Sequence, residues 1–139
     1  MWSVPEPTGK PAYPEPLGVR FSIDDLRVVR RGTARWAALA GLAQERADDF
    51  VIAVNEIATN AVRYGSPVAR LLLRVADGTV VEAEVRDGGV WEPAARAAVE
   101  DGPRGGMGLP LARVVCDEVE IRPEPGGTAV ILRMALRDR

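Results

Sequence analysis

Apolar and polar residues along this chain follow two periods, and these periods divide it into strands and helices. Residues 19–23, "VRFSI", alternate as a short strand does. From Asp24 or Asp25, either of which suits an N-cap, apolar residues recur at helical spacing and predict a helix to about Leu42. The predicted buried stripe of this helix consists of Val29, Gly32, Trp36, Leu39 and Ala43.

A second helical period follows directly. It predicts a helix from Asp48 or Asp49 to about Tyr64, because aspartate is a common N-cap residue. Gly65 and Pro67 then stand where helices commonly end.

Four further strands and a short helix complete the pattern. The strands "ARLLLRVA" and "TVVEAEVRD" are joined at Asp77-Gly78, which is a strong hairpin signal. A segment rich in glycine and proline, residues 88–108, leads to the short helix "LPLARVVCDE" and the strands "VEIRPE" and "TAVILRMAL". This order predicts an α/β (α+β) two-layer sandwich, with helices on one face of a mixed, mostly antiparallel β-sheet.

Composition narrows the class of protein. The chain has 139 residues, the size of one domain, and we expect a flexible Pro-rich tail over 1–17 and a folded domain over 18–139. A net charge of -2 argues against direct nucleic-acid binding, and no segment is apolar enough to span a membrane. With one cysteine and no signal-peptide pattern, we expect a cytoplasmic protein. The absence of histidine excludes His-based catalysis, so chemistry must use carboxylates, amides, hydroxyls and bound ions.

The polar arc of the second predicted helix carries the first candidate site. Glu56 and Asn60 lie one turn apart there, and Asn55 and Arg63 share the arc. A carboxylate beside a neutral amide suits a magnesium-phosphate site, because the amide oxygen is a hard ligand that adds no charge. The carboxylate can then act as a base toward a hydroxyl or water. An ordinary solvated polar face fits these residues equally well.

Two glycine-rich stretches add to this candidate. In "DGG", Asp87 ends a strand, and the two glycines let a flat ligand approach the backbone, although a plain turn has the same composition. In "RGGMGLPLA", Gly106 and Gly108 precede a helix whose free N–H groups can bind phosphate oxygens. This stretch fits a dinucleotide fingerprint poorly, because Leu111 stands where the third glycine would be, and no Walker-type P-loop is present.

Taken together, "NEIATNAVRYG", "DGG" and "GGMGL" resemble the N, G1 and G2 boxes of the histidine-kinase-like ATPase superfamily. The resemblance extends from about Val19 to Leu136 and implies the Bergerat-type ATP-binding fold. The short chain, the Glu-x-x-x-Asn pair and "GGTAVILRM" make it most similar to the RsbW-like anti-sigma factors, which are serine-protein kinases.

The resemblance also implies cofactors, partners and residue roles. ATP and Mg²⁺ would be the cofactors, and a sigma factor and a STAS-type anti-anti-sigma protein the partners of a homodimer formed through the first strand and helix. Glu56 would be the catalytic base and Asn60 the magnesium ligand, with Asn55 and Arg63 on the phosphate side. Asp87 would accept a hydrogen bond from the adenine amino group. The other implied nucleotide contacts are Gly89 beside the ring, Gly106, Gly108 and Leu109 around the phosphates, and Thr128 near the adenine-side water network.

Two residues depart from the family pattern. Tyr64 stands where the family has histidine, and Trp91 replaces the second glycine of Asp-x-Gly-x-Gly. The sequence therefore leaves open a serine-protein kinase and a regulatory binding module that holds a partner without phosphoryl transfer. An output domain of a larger sensor kinase fits less well, because the chain has no histidine and no coiled-coil linker.

Overall fold

A computed structural model describes residues 13–89 and 109–136 of the chain. The described helices and strands are β1 (Leu17–Phe21), α1 (Leu26–Ala40), α2 (Gln44–Asn60), β2 (Ala69–Ala76), β3 (Val80–Asp87), α3 (Leu109–Val115), β4 (Glu118–Glu124) and β5 (Gly127–Ala135). A 3₁₀ turn (Ile23–Asp25) precedes α1, and a π turn (Ala61–Gly65) continues α2.

The strands form one sheet in the order β1-β2-β3-β5-β4, and every described pair is antiparallel. The predicted two-layer α/β fold is confirmed; the parallel pairing that a mixed sheet would include does not occur among these strands. The β2–β3 turn has positive φ at Asp77 (54°) and Gly78 (67°), as the two central residues of a type I′ turn do, and the Thr79 N–H donates to the Ala76 carbonyl (3.1 Å).

Alternation along the strands separates the two faces of the sheet. In β2, Leu71 and Leu73 are buried against the helices, whereas Arg70, Leu72 and Arg74 point to the opposite face and are exposed. Phe50 and Ile57 of α2 are fully buried, and each such side chain stabilises the fold by about 2–3 kcal/mol. The helices therefore cover one face of the sheet.

The buried stripe of α1 differs in part from the prediction. Val29 and Trp36 are buried as expected, but Leu39 is 62% exposed. The stripe passes instead through Thr33, whose hydroxyl donates to the Val29 carbonyl (2.7 Å). Because that bond satisfies the hydroxyl, threonine is tolerated in the core.

The starts of the two long helices also differ from the prediction. Ser22 and Asp25 form a capping box before α1, in which the Ser22 backbone N–H donates to the Asp25 carboxylate (2.9 Å). The predicted start of α2 at Asp48 or Asp49 is wrong, because the helix begins at Gln44 after Ala43. Asp48 lies inside the first turns and accepts a hydrogen bond from the Gln44 side chain (2.8 Å).

No helix in the described ranges is both long and apolar enough to cross a membrane.

Candidate functional site

The candidate site begins where α2 ends. Asn60 is the last α-helical residue, and the chain then widens into the π turn, closed by a hydrogen bond from the Ser66 N–H to the Ala61 carbonyl (3.1 Å). Such turns are frequent at functional sites, because they rotate the following residues relative to an α-helix. Here the turn carries Gly65 against the end of β3.

Asn60 is buried and has no recorded side-chain partner. Its side chain is 3% exposed, and within residues 13–89 and 109–136 it makes no hydrogen bond. The side-chain oxygen of Asn55 is also buried and is unsatisfied by any described group. A buried polar atom without a partner costs free energy, so the Asn55 oxygen marks a place where a polar group or water fits, and the Asn60 amide at the end of α2 is available to a ligand.

The other predicted residues of α2 and the π turn lie at its surface. Glu56 is partly buried, one turn before Asn60. Arg63 is exposed, with its guanidinium carbon 5.5 Å from the centroid of the Tyr64 ring, and Tyr64 is itself 46% exposed. This distance allows a cation–π contact.

Asp87 lies at the end of β3 and is 8% exposed. Its Oδ1 accepts a hydrogen bond from the Gly89 backbone N–H (2.8 Å). Thr128 lies opposite Asp87 in β5 and donates its hydroxyl proton to the Gly89 carbonyl (3.1 Å). The structure thus brings Asp87, Gly89 and Thr128 together.

Close contacts at three glycines hold this group in place. A Cβ at Gly65 would lie 2.2 Å from the Asp87 carboxyl carbon, and one at Gly127 would lie 2.1 Å from the Asp87 carbonyl oxygen. A Cβ at Gly89 would lie 2.2 Å from the Gly65 carbonyl oxygen. Real Cβ atoms do not approach so closely, so the end of α2 meets Asp87 only because these positions lack side chains.

Ser66 links the same segments and was missed by sequence analysis. Its hydroxyl donates to the Val68 carbonyl (2.7 Å) and accepts from the Gly88 N–H (2.9 Å). Gly65 was predicted only as the end of a helix. Neither role has a signal in the sequence, because each depends on how α2 meets β3.

The remaining predicted residues belong to the segment before α3. Gly106, Gly108 and Trp91 lie outside the described residues, and Leu109 is the first residue of α3. α3 packs on α2, and its Ala112 is buried. Just after α3, burial raises the pKa of the Cys116 thiol to about 12, which confirms a core thiol rather than a nucleophile.

Comparison with known proteins identifies a family. The model of the family described as "Histidine kinase-like ATPase domain" matches residues 19–134. The crystal structure of the RsbU and RsbW domains of Rv1364c from Mycobacterium tuberculosis is similar, with a TM-score of 0.67 and 25% identity over 88% of this chain. The chain spans 32% of that solved chain.

Two further solved structures show the same fold at lower identity. The SiaB–SiaC complex from Pseudomonas aeruginosa matches with a TM-score of 0.54 and 16% identity, over 86% of this chain and 89% of that one. The histidine kinase domain of the blue-light-activated kinase from Erythrobacter litoralis EL346 matches with a TM-score of 0.54 and 18% identity. The match covers 81% of this chain and 60% of that one.

Proposed function

Because this chain belongs to the histidine kinase-like ATPase domain family, we propose that it binds ATP with Mg²⁺ and phosphorylates a serine of a partner protein. The observation that carries this proposal is Asn60, a buried amide without a described partner, one turn after Glu56. Amide oxygen is a suitable Mg²⁺ ligand when phosphates and water complete the coordination.

The adenine end of the proposed site is at Asp87. A carboxylate accepts hydrogen bonds, so it favours the amino group of adenine over the carbonyl oxygen that guanine has at that position. Gly89 and Thr128 lie beside Asp87, and the absence of a side chain at Gly89 leaves the backbone accessible to a ring.

The phosphate end is assigned to the last turns of α2 and the start of α3. Asn60 would hold Mg²⁺, which would neutralise charge on the phosphates. Asn55 and Arg63 lie on the phosphate side. The side-chain oxygen of Asn55 is unsatisfied, so it can accept a hydrogen bond from a water molecule bound to the cation. Gly106, Gly108 and Leu109 supply backbone N–H groups to phosphate oxygens in this proposal.

Phosphoryl transfer then requires one base. The Glu56 carboxylate accepts the proton of the serine hydroxyl while the serine oxygen bonds to the γ-phosphorus. The bond between that phosphorus and the β–γ bridging oxygen breaks, and ADP leaves.

The partners proposed are a sigma factor and a STAS-type anti-anti-sigma protein, held by a cytoplasmic homodimer. The support is the similarity to a solved structure that contains an RsbW domain. Phosphorylation of the anti-anti-sigma partner would weaken its binding and leave the sigma factor held, because it adds charge at the contact.

One observation favours the alternative, a binding module without phosphoryl transfer. Arg63 lies over the ring of Tyr64, and this contact competes with a contact to phosphate. A partner-binding regulator that responds to nucleotide needs no phosphoryl transfer. Both functions therefore predict nucleotide binding, and only the kinase predicts transfer of phosphate to the partner.

The binding experiment is a thermal-shift titration of ATP with and without magnesium. A ligand bound only by the folded state raises the melting temperature, by about 5–10 °C at a hundredfold excess over Kd. We expect Asn60→Ala to weaken MgATP binding about tenfold or more. Gln44→Ala, which removes an exposed amide from the other end of α2, is the matched control. No shift of the wild-type protein at millimolar MgATP would contradict the proposal.

The transfer experiment uses Glu56→Gln, which keeps the shape of the side chain and removes the base. We expect unchanged MgATP binding and a loss of about 10²–10⁴-fold in the rate of phosphate transfer to a serine of the cognate partner. Equal transfer by both proteins removes Glu56 from the base role. No transfer by either, with MgATP bound by both, supports the binding-module alternative.

A further inference from the structure

The sheet face opposite the helices is covered by charged side chains, and most of its arginines are neutralised. Of the six arginines that the described strands place on this face, four have glutamate partners. These pairs are Arg74 with Glu82 (2.7 Å), Arg133 with Glu82 (2.8 Å), Arg122 with Glu120 (3.0 Å), and Arg86 with Glu84 and with Glu124 (3.2 Å).

The other two arginines, Arg20 of β1 and Arg70 of β2, have no such partner. Neither side chain makes a hydrogen bond or ion pair with any described residue. They lie directly opposite each other across the strands, and Arg86 lies opposite Arg70 on the next strand. Like charges in directly opposed positions destabilise a sheet, so this row raises the free energy of the unbound protein.

The row borders an open depression with an apolar floor. A cavity of about 430 Å³ is lined by these three arginines together with Gly18, Leu72 and Glu84, and Glu84 lies opposite Leu72 and pairs with Arg86. Gly18 lies opposite Leu72, and a Cβ built at Gly18 meets no atom within 4 Å. Leu72 is therefore 38% exposed at the bottom of the depression.

We propose that this arginine corner, formed by the unpaired Arg20 and Arg70 beside the paired Arg86, binds an acidic segment of a protein partner. A carboxylate of the segment pairs with Arg20 and Arg70, and a neighbouring apolar side chain covers Leu72. Arginine suits this role because its planar guanidinium binds a carboxylate through two hydrogen bonds. The corner lies on the sheet face away from the helices, and the proposal does not rest on nucleotide binding, although a second cavity of about 330 Å³ is lined by the same arginines and by Asp87.

The surrounding charges select this occupant over other anions. Glu84 and Glu124 flank Arg86 and repel a dense polyanion such as nucleic acid or a charged lipid surface. A peptide whose carboxylates are separated by apolar residues can pair with Arg20 and Arg70 without placing a second carboxylate beside Glu84. The apolar floor adds contact area that a free phosphate cannot use.

The test measures binding of a dye-labelled synthetic peptide, alternating glutamate and leucine, to the full chain by fluorescence anisotropy. A peptide with glutamine in place of glutamate is the control ligand. We expect the glutamate peptide to bind at least about tenfold more tightly, with an affinity that falls as ionic strength rises. Arg70→Glu should lower this affinity about tenfold or more, whereas Arg35→Glu, an exposed arginine of α1, should leave it unchanged.

Two further variants separate the contributions of charge and shape. Gly18→Leu fills the depression without changing any charge, and we expect it to weaken the glutamate peptide as well. Arg70→Glu should melt no lower than the wild type, because it replaces the like-charge contact with Arg20 by an ion pair. If it unfolds, Arg70→Gln tests the same loss of affinity.

Several results would overturn the proposal. These are equal binding of the two peptides, equal effects of Arg70→Glu and Arg35→Glu, or stronger competition by inorganic phosphate or phosphatidylserine vesicles than by unlabelled peptide. A change of oligomeric state caused by Arg70→Glu in sedimentation would show instead that a second copy of the chain covers the corner.

Discussion

At the scale of single residues, one missing side chain determines how the helix layer meets the sheet at the candidate site. Gly65 lies so close to Asp87 that no Cβ fits between them. Its backbone does not have positive φ, so the requirement for glycine is one of space and not of conformation. The Asp87 carboxylate is therefore positioned by the π turn that follows α2 as well as by its own strand.

Replacing Gly65 with alanine should displace the Asp87 side chain. We expect Gly65→Ala to lower the free energy of unfolding by about 1–3 kcal/mol, the usual cost of overpacking. ATP affinity should fall about tenfold, because the proposed adenine acceptor moves. Calorimetric titration with ATP and thermal melting measure the two effects.

Gly18→Ala is the matched control for that experiment, because a Cβ at Gly18 has open space around it. It should leave both quantities unchanged. An unaltered ATP affinity in Gly65→Ala would show that Gly65 does not position Asp87, even if wild-type ATP binding holds.

The candidate residues were predictable to different degrees. Asn60 and Asp87 were proposed from residue type and spacing, and the structure places both where a ligand role is possible. Gly65 and Ser66, which contact Asp87 and Gly88 at the end of β3, were not proposed as site residues. A contact between distant segments leaves no local pattern in the sequence.

At the scale of elements, a ladder of ion pairs stabilises the outer face of β2, β3 and β5. Glu82 is 4% exposed and accepts hydrogen bonds from Arg74 and Arg133. Burial by itself raises the pKa of this carboxyl, but the two arginine hydrogen bonds outweigh it and hold the pKa below the usual 4.5. The charged form of Glu82 is therefore favoured in the folded state.

This lowered pKa links stability to pH. The contribution of Glu82 is present above pH 4.5 and is lost as pH falls through the lower folded-state pKa, where the carboxylate must take up a proton. We expect Glu82→Gln to lower the free energy of unfolding by about 2 kcal/mol at neutral pH, less than for a fully buried pair because Arg74 is half exposed. The difference should shrink in acid; urea unfolding at several pH values measures it.

Glu118→Gln is a control for the same ladder. Glu118 pairs with Arg133 too, but its side chain is 57% exposed, so its loss should cost less than about 1 kcal/mol. Equal costs for the two variants, or a pH-independent difference, would contradict the assignment to Glu82.

Element boundaries were less predictable than element types. All eight helices and strands in the described ranges were expected. The start of α2 at Gln44 was missed because its N-cap, Ala43, has no capping side chain for a residue-type argument to find. Leu39 was placed in the core by its helical spacing, yet the adjacent Ala37 and Ala40 are the residues that face inward. Spacing alone cannot decide between neighbouring stripes of similar apolar content.

At the scale of the whole molecule, the order of elements predicted the two layers but not the arrangement of the sheet. β5 lies between β3 and β4, so every described neighbour is antiparallel. Local hairpin signals identify β2–β3 and β4–β5 as pairs. They do not say which strand of the second hairpin lies beside β3, because that depends on the connection through α3.

The predicted boundary between a tail and a domain near residue 17 stays a prediction. Residues just before it do contact the fold: the Tyr13 hydroxyl donates to the Gly78 carbonyl (2.8 Å), and the Trp36 indole N–H donates to the Glu15 carbonyl (3.0 Å). These bonds fix the entry of the chain into β1 from two sides.

The π turn after Asn60 has a consequence for alignment with relatives. A π turn contains one more residue than an α turn between the same two ends, so a relative that is α-helical there is one residue shorter. Aligning such a relative with this chain requires a one-residue gap in the relative somewhere between positions 61 and 65. The position chosen for that gap determines which residue of the relative is compared with Tyr64. Whether Tyr64 replaces the family's histidine is therefore decided by superposition of backbones and not by counting letters.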